Sequence, residues 1–223
     1  MTDDRKSGKK LTVSIETGSK KAFATAVDWP GWSRSGKTEE LALEALTTSA
    51  PRYAIVAREA GETFHADDYD IVEHVDGGGG TEFGVPSSIT ELDRRPVTAE
   101  EAKRLARMVE AAWTVLDRVA ASAPAELRKG PRGGGRNRDK MYGHIVESDS
   151  YYAREIGLKV KQPDPTDRPA IEALRAAMLE VLRQPSDGSP LADRKWPPRY
   201  VARRIAWHAL DHAWEMEDRS DPA

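Results

Sequence analysis

The segment PRYVARRIAWHALDHAWEMEDR, residues 198–219, decides how the second half of the chain folds. Its apolar residues recur at helical spacing, a proline stands near its start, and its end is polar. His208 and His212 are four residues apart and therefore project from one face of the helix, which Val201 and Ile205 share. The segment is predicted to be an amphipathic helix whose apolar stripe carries two imidazoles.

Three more helices are predicted before this segment, over residues 98–124, 140–157 and 170–183. The first of them has Thr98 as its N-cap and Glu101 three residues later, which is the spacing of a capping box. Loops rich in glycine, arginine and proline separate the helices. Four amphipathic helices with polar connections predict a four-helix bundle over residues 98–220.

The first half of the chain contains strand patterns. LTVSIET (11–17) and AFATAVDW (22–29) alternate apolar and polar residues around a short GSKK turn, which predicts a β-hairpin. YDIVEHV (69–75) and TEFGVPS (81–87) predict a second hairpin. Between the two hairpins, Thr38 and the two glutamates after it are typical of a helix N-terminus.

These patterns predict an α+β protein of two parts. Residues 11–90 are expected to form a small ββαββ-type domain, and the bundle over 98–220 follows it. Residues 1–10 are charged and polar and are expected to be a disordered tail.

Composition excludes several classes of protein. The 223 residues include no cysteine, which excludes a disulfide scaffold, thiolate metal sites and a cysteine nucleophile. No apolar run approaches the ~20 residues of a membrane span, and the charged N-terminus leads into no secretory signal, so a cytoplasmic protein that does not bind membranes is expected. The net charge of −3 argues against general affinity for polyanions. Nucleic-acid contact is a second interpretation of the basic loop over 128–140, but no aromatic residues interleave with its charges, so nucleic acid is not expected as a partner.

The histidines suggest a metal site. His208 and His212 could bind one ion, and His144 on the second predicted helix of the bundle could be a third ligand. Three imidazoles from two helices would leave coordination positions open for a water or a substrate. Because most His pairs at this spacing bind no metal, the spacing alone leaves both interpretations open.

The segment 98–218 resembles the DinB-like superfamily, whose four-helix bundles include mycothiol-dependent isomerases and bacillithiol S-transferases. The resemblance rests on KMYGHIVESDSYYAREIG and RRIAWHALDHAWEMEDR. It implies a divalent metal ion (zinc, nickel or iron) held by His144, His208 and His212. It also implies a transferase or isomerase that activates a low-molecular-weight thiol for reaction with a small-molecule substrate. The superfamily is diverse, and whether this chain is an enzyme stays open.

Further residues near this site are candidates for roles in binding or catalysis. Three cationic side chains of the glycine-rich loop suit an anionic thiol, although a solvated loop is the alternative: Arg132, Arg136 and Arg138. Glu147 and Tyr151 are candidate catalytic residues, with Glu147 also able to orient a ligand or act as a general base. Asp211 is expected to face away from the metal and to pair with Arg203 or Arg204.

A second resemblance covers residues 12–46, which are similar to HicB-like domains: a β-hairpin, a Pro-Gly turn and an amphipathic helix. HicB-like proteins are antitoxins whose domains often pair through strands, which makes a homodimer one expectation. The alternative to an enzyme is therefore a non-catalytic binding or regulatory module with a structural helical bundle. GWSRSGKT (31–38) also matches the phosphate-loop pattern, but a bulky Trp32 and the glutamates that follow argue against a nucleotide site.

Overall fold

A four-stranded sheet forms in the first half of the chain. The computed structural model describes residues 10–66, 68–129 and 135–220. The strands are β1 (Leu11–Thr17), β2 (Ala22–Ala26), β3 (Ser33–Gly36) and β4 (Tyr69–Asp76), in the spatial order β3-β2-β1-β4. β1 and β2 pair antiparallel, with Ile15 opposite Ala24, and β2 pairs antiparallel with β3. The predicted first hairpin is confirmed.

Two helices follow β3, namely α1 (Glu39–Thr48) and α2 (Ala50–Glu59). The Thr38 side chain accepts a hydrogen bond from the Leu41 amide, which confirms the predicted N-cap. Trp32 anchors α1 and α2 to the turn before β3. Its fully buried ring stacks on Tyr53 at 5.1 Å between centroids, and its Nε1 donates to Ser49 Oγ at 2.9 Å.

Residues 31–38 match the phosphate-loop pattern but form a turn followed by β3. The backbone of Ser33–Gly36 pairs with β2, with Thr25 opposite Ser33. A strand whose amides are committed to a neighbouring strand cannot wrap a phosphate. The geometry agrees with the argument against a nucleotide site.

The second predicted hairpin is wrong. β4 forms over the predicted stretch, but it pairs parallel with β1, with Val13 opposite Ile71. Its expected partner over residues 81–87 instead begins inside a short helix, α3 (Gly79–Phe83), which ends at Gly84 with φ 102°. Alternation identifies a strand and its buried face but not the strand with which it pairs. The order of elements is therefore β1-β2-β3-α1-α2-β4-α3 rather than ββαββ.

Four long helices form in the second half: α4 (Ala99–Ser122), α5 (Arg138–Glu155), α6 (Arg168–Leu182) and α7 (Pro198–Arg219). The predicted capping box of α4 is present, since Thr98 Oγ1 accepts from the Glu101 amide at 3.2 Å and Glu101 Oε2 accepts from the Thr98 amide at 3.0 Å. α7 packs along α4 and against α5, while α6 packs on α4 and α5. The four helices thus pack on one another around α4 and α7.

One hydrophobic core joins the sheet to these helices. Val13 of β1 and Ile205 of α7 are fully buried members of the same cluster, and α2 packs on α4. The turn at Gly31 approaches α7 so closely that a Cβ atom there would lie 2.9 Å from the Ala206 backbone. The position of α7 is therefore set from both halves of the chain.

The architecture is mixed α+β, as predicted. The boundaries at 11–90 and 98–220 stay predictions, and the predicted tail lies outside the described residues except for Lys10. Across the described ranges, no helix combines the length and the apolar character that crossing a membrane requires.

Candidate metal centre

α7 supplies two imidazoles to a candidate metal centre. Its apolar stripe is buried, with Val201 and Ile205 inaccessible to solvent, and the same face carries His208 and His212. The centroids of the two rings are 4.8 Å apart. His208 is only 7% exposed. Helical spacing and burial of the stripe thus direct both rings inward, as the sequence predicts.

α5 supplies the third imidazole. The ring of His144 lies 5.0 Å from that of His208 and 5.4 Å from that of His212, centroid to centroid. One nitrogen atom from each of the three rings lies within 4.8 Å of the others. Among the described residues, no carboxylate or further histidine belongs to this group. The packing of α5 on α7 therefore brings together the three histidines that the sequence singles out.

The donor set fits a divalent transition metal ion. Zinc and its neighbours bind imidazole nitrogen at about 2.0–2.1 Å, which in a tetrahedral site puts ligand atoms about 3.3 Å apart. The present separations of the nitrogens, at most 4.8 Å, exceed that value by no more than about 1.5 Å. Calcium and magnesium, which require oxygen ligands, do not suit three imidazoles.

Burial keeps two of the imidazoles in the neutral form that binds metals. It lowers the pKa of His208 well below its usual value, and the nearby His212 and Arg204 act in the same direction. Burial also lowers the pKa of His144, with a further contribution from the charge of Arg136. A neutral imidazole has a free lone pair, so no proton has to be displaced before an ion binds.

A carboxylate fixes the orientation of His212. Glu215 Oε2 lies 3.0 Å from His212 Nδ1, and Arg219 Nη1 holds the other carboxylate oxygen at 2.7 Å. The hydrogen bond to His212 lowers the pKa of Glu215, which keeps the carboxylate charged. With Nδ1 donating to Glu215, Nε2 of His212 carries the lone pair. Sequence reasoning missed Glu215, although its position three residues after His212 is a recognisable signal.

The Tyr152 hydroxyl lies 3.4 Å from His208 Nδ1 and is a second candidate for orienting a ligand. Burial raises the pKa of Tyr152 to about 12, so the phenol stays neutral. Trp207 stacks beside His208, with its ring centroid 6.1 Å away. Two aromatic residues, Tyr152 and Trp207, thus lie against the His208 ring.

The remaining predicted residues occupy varied positions. Glu147 is exposed, and its negative charge opposes the lowering of the His144 pKa. Tyr151 is 49% exposed, and its ring contacts that of Trp196. Arg138 donates to the Ala123 carbonyl oxygen at 2.9 Å and pairs with its neighbour Asp139. Arg136 is exposed, and Arg132 lies outside the described residues. The catalytic and anion-binding roles of these residues stay predictions.

The predicted partner of Asp211 is wrong. Asp211 pairs with Arg34 of β3 at 3.1 Å, and the Arg34 guanidinium lies 3.9 Å from the ring centroid of Trp214. Arg203 instead forms a buried ion pair with Asp93 at 2.7 Å. Asp211 therefore links the sheet to the helix that carries His212.

Comparison with known proteins identifies no relative. No protein-family model matches the chain, no curated protein matches it, and no solved structure matches it. Inference about function therefore depends on the site itself.

Proposed function

We propose that the chain holds a divalent metal ion through His144, His208 and His212 and is a metal-dependent transferase or isomerase whose co-substrate is a low-molecular-weight thiol. The observation that carries the proposal is the group of three mutually close imidazoles without a fourth ligand among the described residues. Structural zinc sites are closed by four protein ligands, whereas catalytic sites keep a position open. The substrate is a small electrophilic molecule, and the protein works in the cytoplasm.

The helical arrangement supports a DinB-like bundle over residues 98–220. One ligand comes from α5, the second of four long helices, and a His pair comes from α7, the last of them. The hairpin of β1 and β2, followed by a turn and α1, supports a HicB-like domain in the first half. Both assignments belong to the proposal.

Residues of the chain prepare the site for this chemistry. A bound divalent ion supplies a Lewis acid that lowers the pKa of a coordinated thiol. Glu215 and Arg219 hold the His212 ring in place, and burial of His208 excludes water from its side of the site. The chain lacks cysteine, so the sulfur nucleophile has to come from the co-substrate.

A thiol-conjugation assay tests the enzymatic proposal. The purified chain is loaded with zinc, nickel or iron and incubated with several low-molecular-weight thiols and a chromogenic aryl chloride. The sulfur–carbon bond forms, chloride leaves, and the thiol proton passes to solvent. Conjugation above the rate without protein is expected for the wild type and for the His65→Ala, His74→Ala control, whose two histidines are exposed, but not for His208→Ala, His212→Ala.

Two negative results of this assay would contradict different parts of the proposal. A metal-loaded wild type that conjugates none of the thiols would contradict the transferase and favour the non-catalytic binding or regulatory module. Equal rates in the two double variants would contradict the role of α7 in catalysis.

A further inference from the structure

Arg204 lies one helical turn before His208, and its guanidinium is close to two aromatic rings. Its guanidinium carbon is 4.9 Å from the ring centroid of Trp207 and 5.6 Å from that of Tyr152. An aromatic face attracts the positive charge of a guanidinium, and this contact fixes the position of the group. The rings supply no lone pair to its in-plane N–H groups, which still require acceptors.

Two donors in this cluster are buried without an acceptor. Arg204 Nη1 and Trp207 Nε1 are both inaccessible to solvent and make no hydrogen bond with any described residue. Trp207 as a whole is only 5% exposed. An unsatisfied buried donor costs about 1–3 kcal/mol, and more when the group is charged. Each of these donors requires an explanation, and a bound ligand near Arg204 is one that can be tested.

Arg204 differs from its neighbours in having no carboxylate partner. Arg203 is paired with Asp93, and Arg34 is paired with Asp211. In the described part of the chain, no acidic group lies within ion-pair distance of the Arg204 guanidinium. Arg204 as a residue is only partly buried, and no carboxylate of the described chain neutralises its charge, so an anion from outside the chain could pair with it.

The same cluster adjoins the candidate metal centre. Both rings that flank Arg204 also touch His208, the Trp207 ring in a stacked arrangement at 6.1 Å and the Tyr152 ring edge-on at 5.9 Å. A small anion bound at Arg204 would thus lie within the length of a small molecule of an ion held by His208.

We propose that Arg204, close to the Trp207 ring, binds a carboxylate group of the thiol co-substrate. Charge-assisted hydrogen bonds to Arg204 would hold the carboxylate while the thiol reaches the metal. This inference rests on the proposed function, because it assigns the anion to the same co-substrate. It also places the anion-binding group on α7, in addition to the arginine-rich loop that the sequence indicates.

Titration of the metal-free chain with propionate tests this site without relying on the metal. The readout is the NMR signal of the Trp207 Nε1–H group, assigned from its loss in Trp207→Phe. Propanamide, which has nearly the same shape but no charge, is the matched probe. A saturable shift is expected with propionate and not with propanamide.

Three variants locate the binding group. Arg204→Gln should weaken propionate binding by about tenfold or more, because a hydrogen bond to a charged group is lost. Arg204→Lys keeps the positive charge but lacks the planar guanidinium, so it should lose only part of the affinity for propionate. This partial loss distinguishes a lost contact from misfolding of Arg204→Gln. Arg58→Gln, at an exposed position on α2, should change it less than about threefold.

Several results would overturn the proposal. They are the absence of a propionate-dependent shift, an equal response to propanamide, unchanged affinity in folded Arg204→Gln, or a larger loss in Arg58→Gln than in Arg204→Gln. Propionate binding in a chain that binds no metal would leave the anion site standing and contradict the metal centre. Metal binding without propionate binding would leave the metal centre standing and contradict the anion site.

Discussion

Replacing Gly31 with alanine tests how closely the sheet packs against the helix that carries His208 and His212. Gly31 has φ 90°, a conformation that residues with a side chain rarely adopt. A Cβ at this position would lie 2.9 Å from the Ala206 carbonyl carbon and 2.9 Å from Leu210 Cδ1. A shift of the α7 backbone away from this Cβ would displace Ala206 and Leu210, which lie on either side of His208 in the sequence.

The expected loss has two parts. A left-handed backbone costs a residue with a side chain about 1–2 kcal/mol, and forcing a methyl group into a packed site costs about 1–3 kcal/mol more. Gly31→Ala should therefore lower the free energy of unfolding by about 2–5 kcal/mol. Gly61 is a matched control, because its φ is 72° but no atom lies within 4 Å of its Cβ position. Gly61→Ala should lose only about 1–2 kcal/mol.

Urea unfolding followed by far-UV circular dichroism measures both losses, provided that the m-values of the variants match. The affinity for zinc should fall in Gly31→Ala and stay unchanged in Gly61→Ala, because only the first substitution displaces α7. Losses of unfolding free energy that agree within about 0.5 kcal/mol would refute the close packing of the turn on α7.

Three further predictions concern individual side chains. Thr98→Ala removes one half of the capping box and should lower the free energy of unfolding by about 1 kcal/mol in urea titrations, and a loss near zero would contradict the cap. Burial raises the pKa of the Asp149 carboxyl group to about 6. The folded chain therefore binds the carboxyl proton more tightly than the unfolded chain, and the charged carboxylate destabilises the fold. The stability of Asp149→Asn relative to the wild type should therefore rise between about pH 4 and pH 6 and then level off, and a difference that is flat with pH would contradict this. Glu215→Gln should weaken zinc binding by about tenfold in competition with a chromogenic chelator, because His212 loses its charged hydrogen-bond partner, and an unchanged affinity would contradict that role.

Local patterns were sufficient to predict most helices and the first hairpin. The capping box at Thr98 and the N-cap at Thr38 depend on residues only three positions apart, which a sequence displays directly. The pairing of His208 with His212 likewise follows from helical spacing. The position of His144 depends on how α5 packs on α7, and the residues alone left that open.

Long-range contacts account for what the sequence did not indicate. β3 is short and polar, so it lacks the apolar alternation that marks a strand. The parallel pairing of β4 with β1 joins residues on either side of two helices, and Arg34 meets Asp211 from the far end of the chain. The environment of Arg204, with two nearby rings and no acceptor for its Nη1, is formed by tertiary contacts that the sequence does not show.

The metal content and coordination of the purified chain test the central claim most directly. After exposure to zinc and removal of loosely bound ions, elemental analysis should find about one ion per chain. X-ray absorption should show imidazole ligands at about 2.0–2.1 Å, with no sulfur. His208→Ala, His212→Ala should lose the ion, and His65→Ala, His74→Ala should keep it. A wild type that retains no ion, or equal retention by both double variants, would contradict a metal centre at His144, His208 and His212.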